Sequence, residues 1–274
     1  MKKNLDKFLK FITITINNFL IKISVRIFLP QKIHADENFY LKKFHELKSF
    51  SKKKINSKTE FDISDDFILP LALKTVVVKK KSKLSIDHGK YLYSELRKYI
   101  SNNNFNFINV VETGTARGFS AICMAKAMYD EKQNGQIFTF DIIPHDKKLY
   151  WNNIVDVTFG KSTRKELLQE WNYLTEQYVK FINNFAHIYL KSVNFERVHF
   201  AFFDGSHYAH DIKYEFEKIA LCQMKNDISI FDDFNEIQYN DMYKFILNIT
   251  KKYNYNHSII KINDNRKILI AKKI

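Results

Sequence analysis

Four short, mostly apolar runs each stop on an acidic residue. Phe107–Val111 stops at Glu112, Ile137–Phe140 at Asp141, Val198–Phe203 at Asp204 and Ile228–Phe231 at Asp232. A strand that is apolar on both faces must be covered on both sides, as in a parallel sheet flanked by helices. The intervening segments supply the helices by periodicity: Ile86–Ile100, Phe119–Tyr129, Thr163–Phe181, Tyr208–Gln223 and Asp241–Lys252. The closing stretch "HSIIKINDNRKILIAKK" reads as a hairpin turned at Asn263, Asp264 and Asn265. The predicted fold class is α/β: a doubly wound, mostly parallel sheet with an antiparallel C-terminal hairpin and a helical N-terminal extension. In such sheets ligands bind beyond the carboxyl ends of the strands, and that is where the four acids lie.

Composition narrows the partners. Hydrophobic residues make up 45% of the 274 positions, enough for a packed core. The net charge of +14 invites a nucleic-acid reading, but only six of the 44 basic residues are arginine. Dedicated phosphate recognition recruits arginine forks, so lysine-rich composition alone argues against nucleic acid. The cysteines Cys123 and Cys222 are far apart with no CxxC pattern, which argues against zinc and fits a reducing, cytoplasmic compartment. The chain has no run of about 18 uncharged apolar residues, so no spanning helix is expected. Residues 1–30 instead carry Leu5, Phe8, Leu9, Ile12, Ile16, Phe19, Leu20, Ile23 and Ile27 at helical spacing, with lysines opposite. Such a basic amphipathic helix can lie on the inner membrane face as a peripheral contact, or pack on its own domain or a partner chain. Residues 31 to about 68 are lysine-rich and weakly patterned, with "SFSKKKINSK" linker-like.

Two glycines of a glycine-poor chain follow the first strand, in "VVETGTARGFSA". Gly114 removes a Cβ where a ligand must approach backbone, and Gly118 lets a helix begin close to the strand with its N–H groups facing the ligand. An acid at the end of the next strand, Asp141, can accept hydrogen bonds from ribose hydroxyls. ExGxxxG is not the GxGxxG that cradles a dinucleotide pyrophosphate, so a smaller nucleoside cofactor is expected.

"ETGTARGFSA" followed by "FTFDIIPH" resembles the first two cofactor motifs of class I S-adenosylmethionine-dependent methyltransferases. It looks closest to the methyltransferase-24 branch, which is similar to small-molecule and sugar O-methyltransferases. The resemblance covers about residues 105 to 235 and implies a Rossmann-like fold. It further implies that Glu112, Gly114, Gly118 and Ser120 line the methionine part of S-adenosylmethionine and that Asp141 holds its ribose. On this reading residues 1–70 are an extension and residues 71–274 the methyltransferase-like domain, with 142–178 inserted as a lid over the acceptor.

The second half of the site begins at "FFDGSHYAHD" and "SIFDDF". Asp204, Asp232 and Asp233 fall at neighbouring strand ends, where like charges repel unless neutralised. A Mg²⁺ ion would do this. The DGxH stretch followed by an acidic pair also resembles metal-dependent O-methyltransferases of the branch. His207 is the candidate base for the acceptor proton, with His210 a poorer one. The expected strand-five Pro-Gly-Gly-like turn is replaced by Asn226-Asp227, which can adopt left-handed turn geometry. The prolines Pro30, Pro70 and Pro144 leave no Asn/Asp-Pro-Pro-aromatic motif, which argues against a nucleobase acceptor. The expected activity is O-methylation of a small hydroxylated molecule, sugar or glycan. A metal-free enzyme using His207, or a binding module without catalysis, are the alternatives, and a homo-oligomer is left open.

Overall fold

The computed structural model describes residue 32 and residues 35–51, 59–79, 84–263 and 266–274. The expected helix over residues 1–30, most of the linker-like run and residues 264 and 265 of the hairpin turn lie outside the described residues. The described strands form one sheet: β1 (Ile108–Thr113), β2 (Gly135–Asp141), β3 (Val179–Asn183), β4 (Phe200–Phe203), β5 (Ile228–Phe231), β6 (Tyr255–Asn263) and β7 (Arg266–Lys273). Their spatial order is β3-β2-β1-β4-β5-β7-β6. Strands β1 to β5 are parallel, and β7 runs antiparallel to both β5 and β6.

The helices are α1 (Glu37–Ser51), α2 (Asp65–Thr75), α3 (Asp87–Ser101), α4 (Phe119–Asp130), α5 (Ile154–Phe159), α6 (Arg164–Leu167), α7 (Asn172–Tyr178), α8 (Ala186–Ser192), α9 (Ala209–Ala220) and α10 (Asn240–Lys252). The period-2 alternation of the strands sorts their side chains between two cores. Val110, Phe200, Phe202 and Ile230 join α1 to α4 and α7 on one face. Val111, Ala201, Phe203 and Phe231 join α8, α9 and α10 on the other. Phe200, Phe202, Phe203 and Phe231 are all buried, and each such side chain contributes roughly 1.5–3 kcal/mol by leaving water.

The weakly patterned stretch before residue 68 contains more structure than its composition predicts. Helix α1 buries Tyr40 and Leu47 in the first core, and α2 begins at a Ser64 cap whose hydroxyl accepts from Asp66 N at 3.2 Å. The division placed at residue 70 falls within α2.

The helix expected over Thr163–Phe181 is corrected to a broken path. Thr163 caps the four-residue α6 through a capping box with Glu166, a 3-10 turn follows at Gln169–Trp171, α7 ends at Tyr178, and the chain then enters β3. β3 is an edge strand in which only Val179 is fully buried, so it lacks the two-sided apolar signature that marks the central strands. The Asn226-Asp227 turn has the expected form, with Asn226 at φ 75. Asp227 is buried behind it, accepting from Arg197 Nη2 at 2.7 Å and from the Tyr99 hydroxyl at 2.6 Å.

Candidate active site at the strand ends

β1 and β4 end level, with Thr113 paired to Phe203, so the "ETG" and "FDG" turns lie side by side. Gly114 permits this contact. Its φ is +94, and a Cβ there would lie 2.1 Å from the Asp204 carbonyl oxygen and 2.8 Å from Gly205 Cα. The space that sequence reasoning reserved for a ligand is filled by the backbone of the neighbouring turn. Gly118, also at positive φ, caps α4 and donates its N–H to Thr115 O at 2.7 Å.

Glu112 is fully buried at the end of β1. Ser120 Oγ, from the first turn of α4, donates to its Oε1, and Thr139 Oγ1, from β2, donates to its Oε2. Thr115 Oγ1 lies 2.5 Å from Thr139 Oγ1 and extends the network. Burial pushes the Glu112 carboxyl up to about 7, and the two hydroxyls act against that rise. Glu112 and Ser120 are thus brought together, and they bond to each other.

Asp141 ends β2 beside the same turn. Its Oδ1 accepts from Ile143 N at 2.8 Å and its Oδ2 from Ala116 N at 2.5 Å. Arg164 Nη2 lies 3.8 Å from Oδ2 and is fixed there, its Nε donating to Ala116 O at 2.9 Å. Burial raises the Asp141 pKa, with Arg164 the main opposing influence. Each carboxylate oxygen keeps a second lone pair, so Asp141 retains capacity to accept from hydroxyls. The segment 142–178 forms a small core of its own from Leu149, Trp151, Val155 and Leu167. It is tied to the glycine turn by Arg117, whose Nε donates to Trp151 O at 2.7 Å. His145, in this segment, stacks flat on Phe181 at 4.1 Å. Burial pulls the His145 pKa down to about 4, which leaves the ring neutral.

The other half of the crevice lies beyond β4 and β5. Asp204 N donates to Thr113 O at 2.9 Å and Asp232 N to Phe203 O at 3.0 Å, so both acids continue the strand ladder by one residue. Asp233 then turns away at φ 47, a conformation that aspartate tolerates better than most residues. Its Oδ2 lies 3.1 Å from His207 Nε2, and the imidazole stacks on Tyr239 with ring centroids 4.4 Å apart. The bond to Asp233 raises the His207 pKa, and partial burial opposes it. A small cavity beside this pair is lined by Phe203, Asp204, His207, Phe231, Asp232 and Met242. His210 does not join the pair; it is exposed on α9 beside Asp211, at 3.5 Å.

The metal expectation fails a geometric test. Arg266, the first residue of β7, reaches into the three-acid constellation. Its Nε donates to Asp232 Oδ1 at 2.7 Å, and its Nη2 forms an ion pair with Asp232 Oδ2. Asp204 Oδ2 lies 3.8 Å from Nη2 and Asp233 Oδ1 lies 4.0 Å from Nε. Asp233 is also engaged by His207. Among the described residues no set of three or more His, Cys, Asp or Glu side chains is arranged to hold a metal ion. Asp204, Asp232 and Asp233, with Arg266 among them, therefore do not fit as a Mg²⁺ cage.

Sequence reasoning missed Arg266 because its partner Asp232 is 34 positions away. The antiparallel course of β7 brings them together. Phe231 pairs with Leu269, so the start of β7 projects past the end of β5, and Phe234 N donates to Lys267 O at 2.9 Å. One signal was available, an arginine on a strand of a chain whose basic residues are otherwise nearly all lysine.

Comparisons with known proteins bear on this arrangement. Residues 111–234 match a family model described as a methyltransferase domain, of the methyltransferase-24 group. No curated protein matches the sequence. Among solved structures, the chain is similar to an S-adenosylhomocysteine-bound methyltransferase from Podospora anserina (15% identity, 90% of this chain and 100% of that one, TM-score 0.53). It is also similar to the O-methyltransferase TomG from Streptomyces achromogenes in complex with S-adenosylmethionine (13% identity, 88% and 100%, TM-score 0.53). A cofactor-bound protein, Rv0187 from MTB, gives 12% identity over 76% and 90% with a TM-score of 0.54. At these identities the structural likeness speaks for the fold. The matched segment spans both turns of the crevice, from Val111 to Phe234, so the site lies within the part of the chain that is similar to the methyltransferase domain of the methyltransferase-24 group, on the fold those structures share.

Proposed function

We propose that the protein methylates a hydroxyl oxygen of a small hydroxylated molecule or sugar, with His207 as the proton acceptor. The observation that carries this reading is the His207–Asp233 pair at 3.1 Å, set across the Gly114–Asp204 contact from the Glu112 and Asp141 half. Asp141 and Glu112 would hold the ribose and methionine ends of S-adenosylmethionine. The fit rests on a carboxylate with spare lone pairs at the end of β2. Bound S-adenosylmethionine supplies a methyl carbon on a sulfonium, an electrophile that needs no further activation.

The chain's own task is to place an acceptor oxygen and remove its proton. With Nε2–H of His207 directed at Asp233, Nδ1 carries the lone pair that receives that proton. The carboxylate then faces an imidazolium and stabilises it, the same effect that raises the His207 pKa. Stacking on Tyr239 fixes the ring plane.

His207→Gln is expected to lower kcat by roughly 10²- to 10⁴-fold, the usual range for a general base, and to leave the Kd for S-adenosylmethionine unchanged by titration calorimetry. Unchanged turnover in this variant would remove His207 from the mechanism. Absence of any S-adenosylmethionine binding by the wild type would overturn the reading as a whole.

A further inference from the structure

Arg266 makes more contacts at the strand ends than a surface arginine needs. Its guanidinium bonds Asp232, lies within 4.0 Å of Asp204 and Asp233, and on its other side Nη1 lies 3.1 Å from His88 Nδ1 on α3. Its side chain is only 18% exposed, and that of Asp232 is fully buried. The contacts come from three directions: from β4 through Asp204, from the turn after β5 through Asp232 and Asp233, and from α3 through His88.

We infer that Arg266 is the built-in cation of the acceptor half, occupying the place among Asp204, Asp232 and Asp233 that a divalent ion would need. Three considerations support it. The three carboxylates gather at adjacent strand ends, a placement that is repulsive without a cation between them. The guanidinium is charged at every relevant pH and is less strongly hydrated than an ammonium, so it suits a buried position. Its planar fork meets the Asp232 carboxylate at two points, Nε donating to Oδ1 and Nη2 forming an ion pair with Oδ2, a geometry a lysine lacks.

The inference has a direct consequence for metals. A divalent ion entering the wild-type site would face a fixed positive charge within van der Waals reach of its ligands. With the guanidinium removed, the same three acids become an oxygen-donor set of the kind hard cations take. Arg266 is a positioning residue on this account: it sets the charge and orientation of Asp232 and Asp233, and through Asp233 those of His207. The inference rests on the methyl-transfer reading only for the name of that half of the crevice, and its test does not require turnover.

The test is Mn²⁺ binding, followed by electron paramagnetic resonance of the free ion, on wild type, Arg266→Met, Arg266→Lys and Asp232→Asn. The wild type and Arg266→Lys are expected to show no stoichiometric site, since both keep a cation in place. Arg266→Met, once shown to be folded by circular dichroism, is expected to bind one Mn²⁺ at least tenfold more tightly than wild type. Adding Asp232→Asn to that variant is expected to abolish the gain. A stoichiometric wild-type Mn²⁺ site lost in Asp232→Asn would overturn the inference, because the arginine would then be yielding to the metal, and this arm holds even if Arg266→Met does not fold. A folded Arg266→Met with no gain in Mn²⁺ binding would also overturn it.

Discussion

The two halves of the strand-end crevice each bury a carboxylate, and they do so by opposite means. Glu112, at the end of β1, is surrounded by hydroxyls from Ser120 and Thr139, and burial raises it to about 7. Asp232, at the end of β5, is just as buried but is clamped by the guanidinium of Arg266. The first solution leaves a group that can change charge near neutrality. The second pairs the carboxylate with a guanidinium and couples it to a distant strand. The difference follows from topology. β1 sits between two parallel strands, so its end meets only other strand ends and the start of α4. β5 sits beside an antiparallel strand, whose first residue arrives at the same edge.

The clamp half should be the more fragile one to break. Asp232→Ala leaves Arg266 buried with its principal partner gone, and uncompensated buried charges of this kind cost about 3–5 kcal/mol. Asp204 and Asp233, at 3.8 and 4.0 Å, are too distant to replace two close contacts. Chemical denaturation is expected to show a loss of that size, and the double variant Asp232→Ala with Arg266→Met is expected to recover part of it. If the double variant were less stable than the wild type by the full sum of the two single losses, the pair would not be coupled and the contrast between the halves would fail.

The hydroxyl half should instead show its character through pH. The Glu112 carboxyl rises from 4.5 to about 7 on folding. A raised acid binds its proton more tightly in the native state. Its contribution to stability is therefore fully present below about pH 4.5 and is lost as pH climbs through 7. The cost of ionising it in place is on the order of 3 kcal/mol. Glu112→Gln removes that titration. The stability of the variant relative to wild type is expected to improve by on the order of 3 kcal/mol between pH 4.5 and pH 8, read from denaturation midpoints at both ends. A difference that stays flat across that range would show that Glu112 titrates normally and that its burial is not felt.

Much of this architecture is legible in the sequence, and the reason is physical. Central parallel strands must be apolar on both faces, so Phe107–Val111, Val198–Phe203 and Ile228–Phe231 stood out, and the acids that ended them marked the crevice. The edge strand β3 was lost because one-sided burial over five residues is indistinguishable from a helix end. The clamp was lost because nothing local to Arg266 or Asp232 announces it. Arginine itself carried information that composition obscured. Every described arginine has a specific partner: Arg97 with Glu131, Arg117 with Trp151 O, Arg164 with Ala116 O, Arg197 with Asp227 and Arg266 with Asp232. In a chain that supplies lysine by default, the five described arginines mark positions where a guanidinium has a specific partner.

The smallest effect gives the finest test of how the hydroxyl half works. Ser120 Oγ donates to Glu112 Oε1, and this bond lowers the carboxyl pKa against the larger effect of burial. Ser120→Ala removes a bond that is stronger to the ionised acid than to the neutral one. The Glu112 pKa in the variant should therefore move above its wild-type position near 7. Below that range the variant loses only an ordinary buried hydrogen bond, about 1 kcal/mol. Above it the variant loses the charge-assisted part as well, so its stability deficit at pH 8 should exceed the deficit at pH 5 by about 1 kcal/mol. The sign is the informative part. A deficit that shrinks toward high pH would mean that the Ser120 bond favours the protonated acid, with the carboxyl rather than the serine as donor. Glu112 would then hold its proton at neutral pH as a hydrogen-bond donor, and the contrast with the ion-paired Asp232–Arg266 clamp would be sharper still.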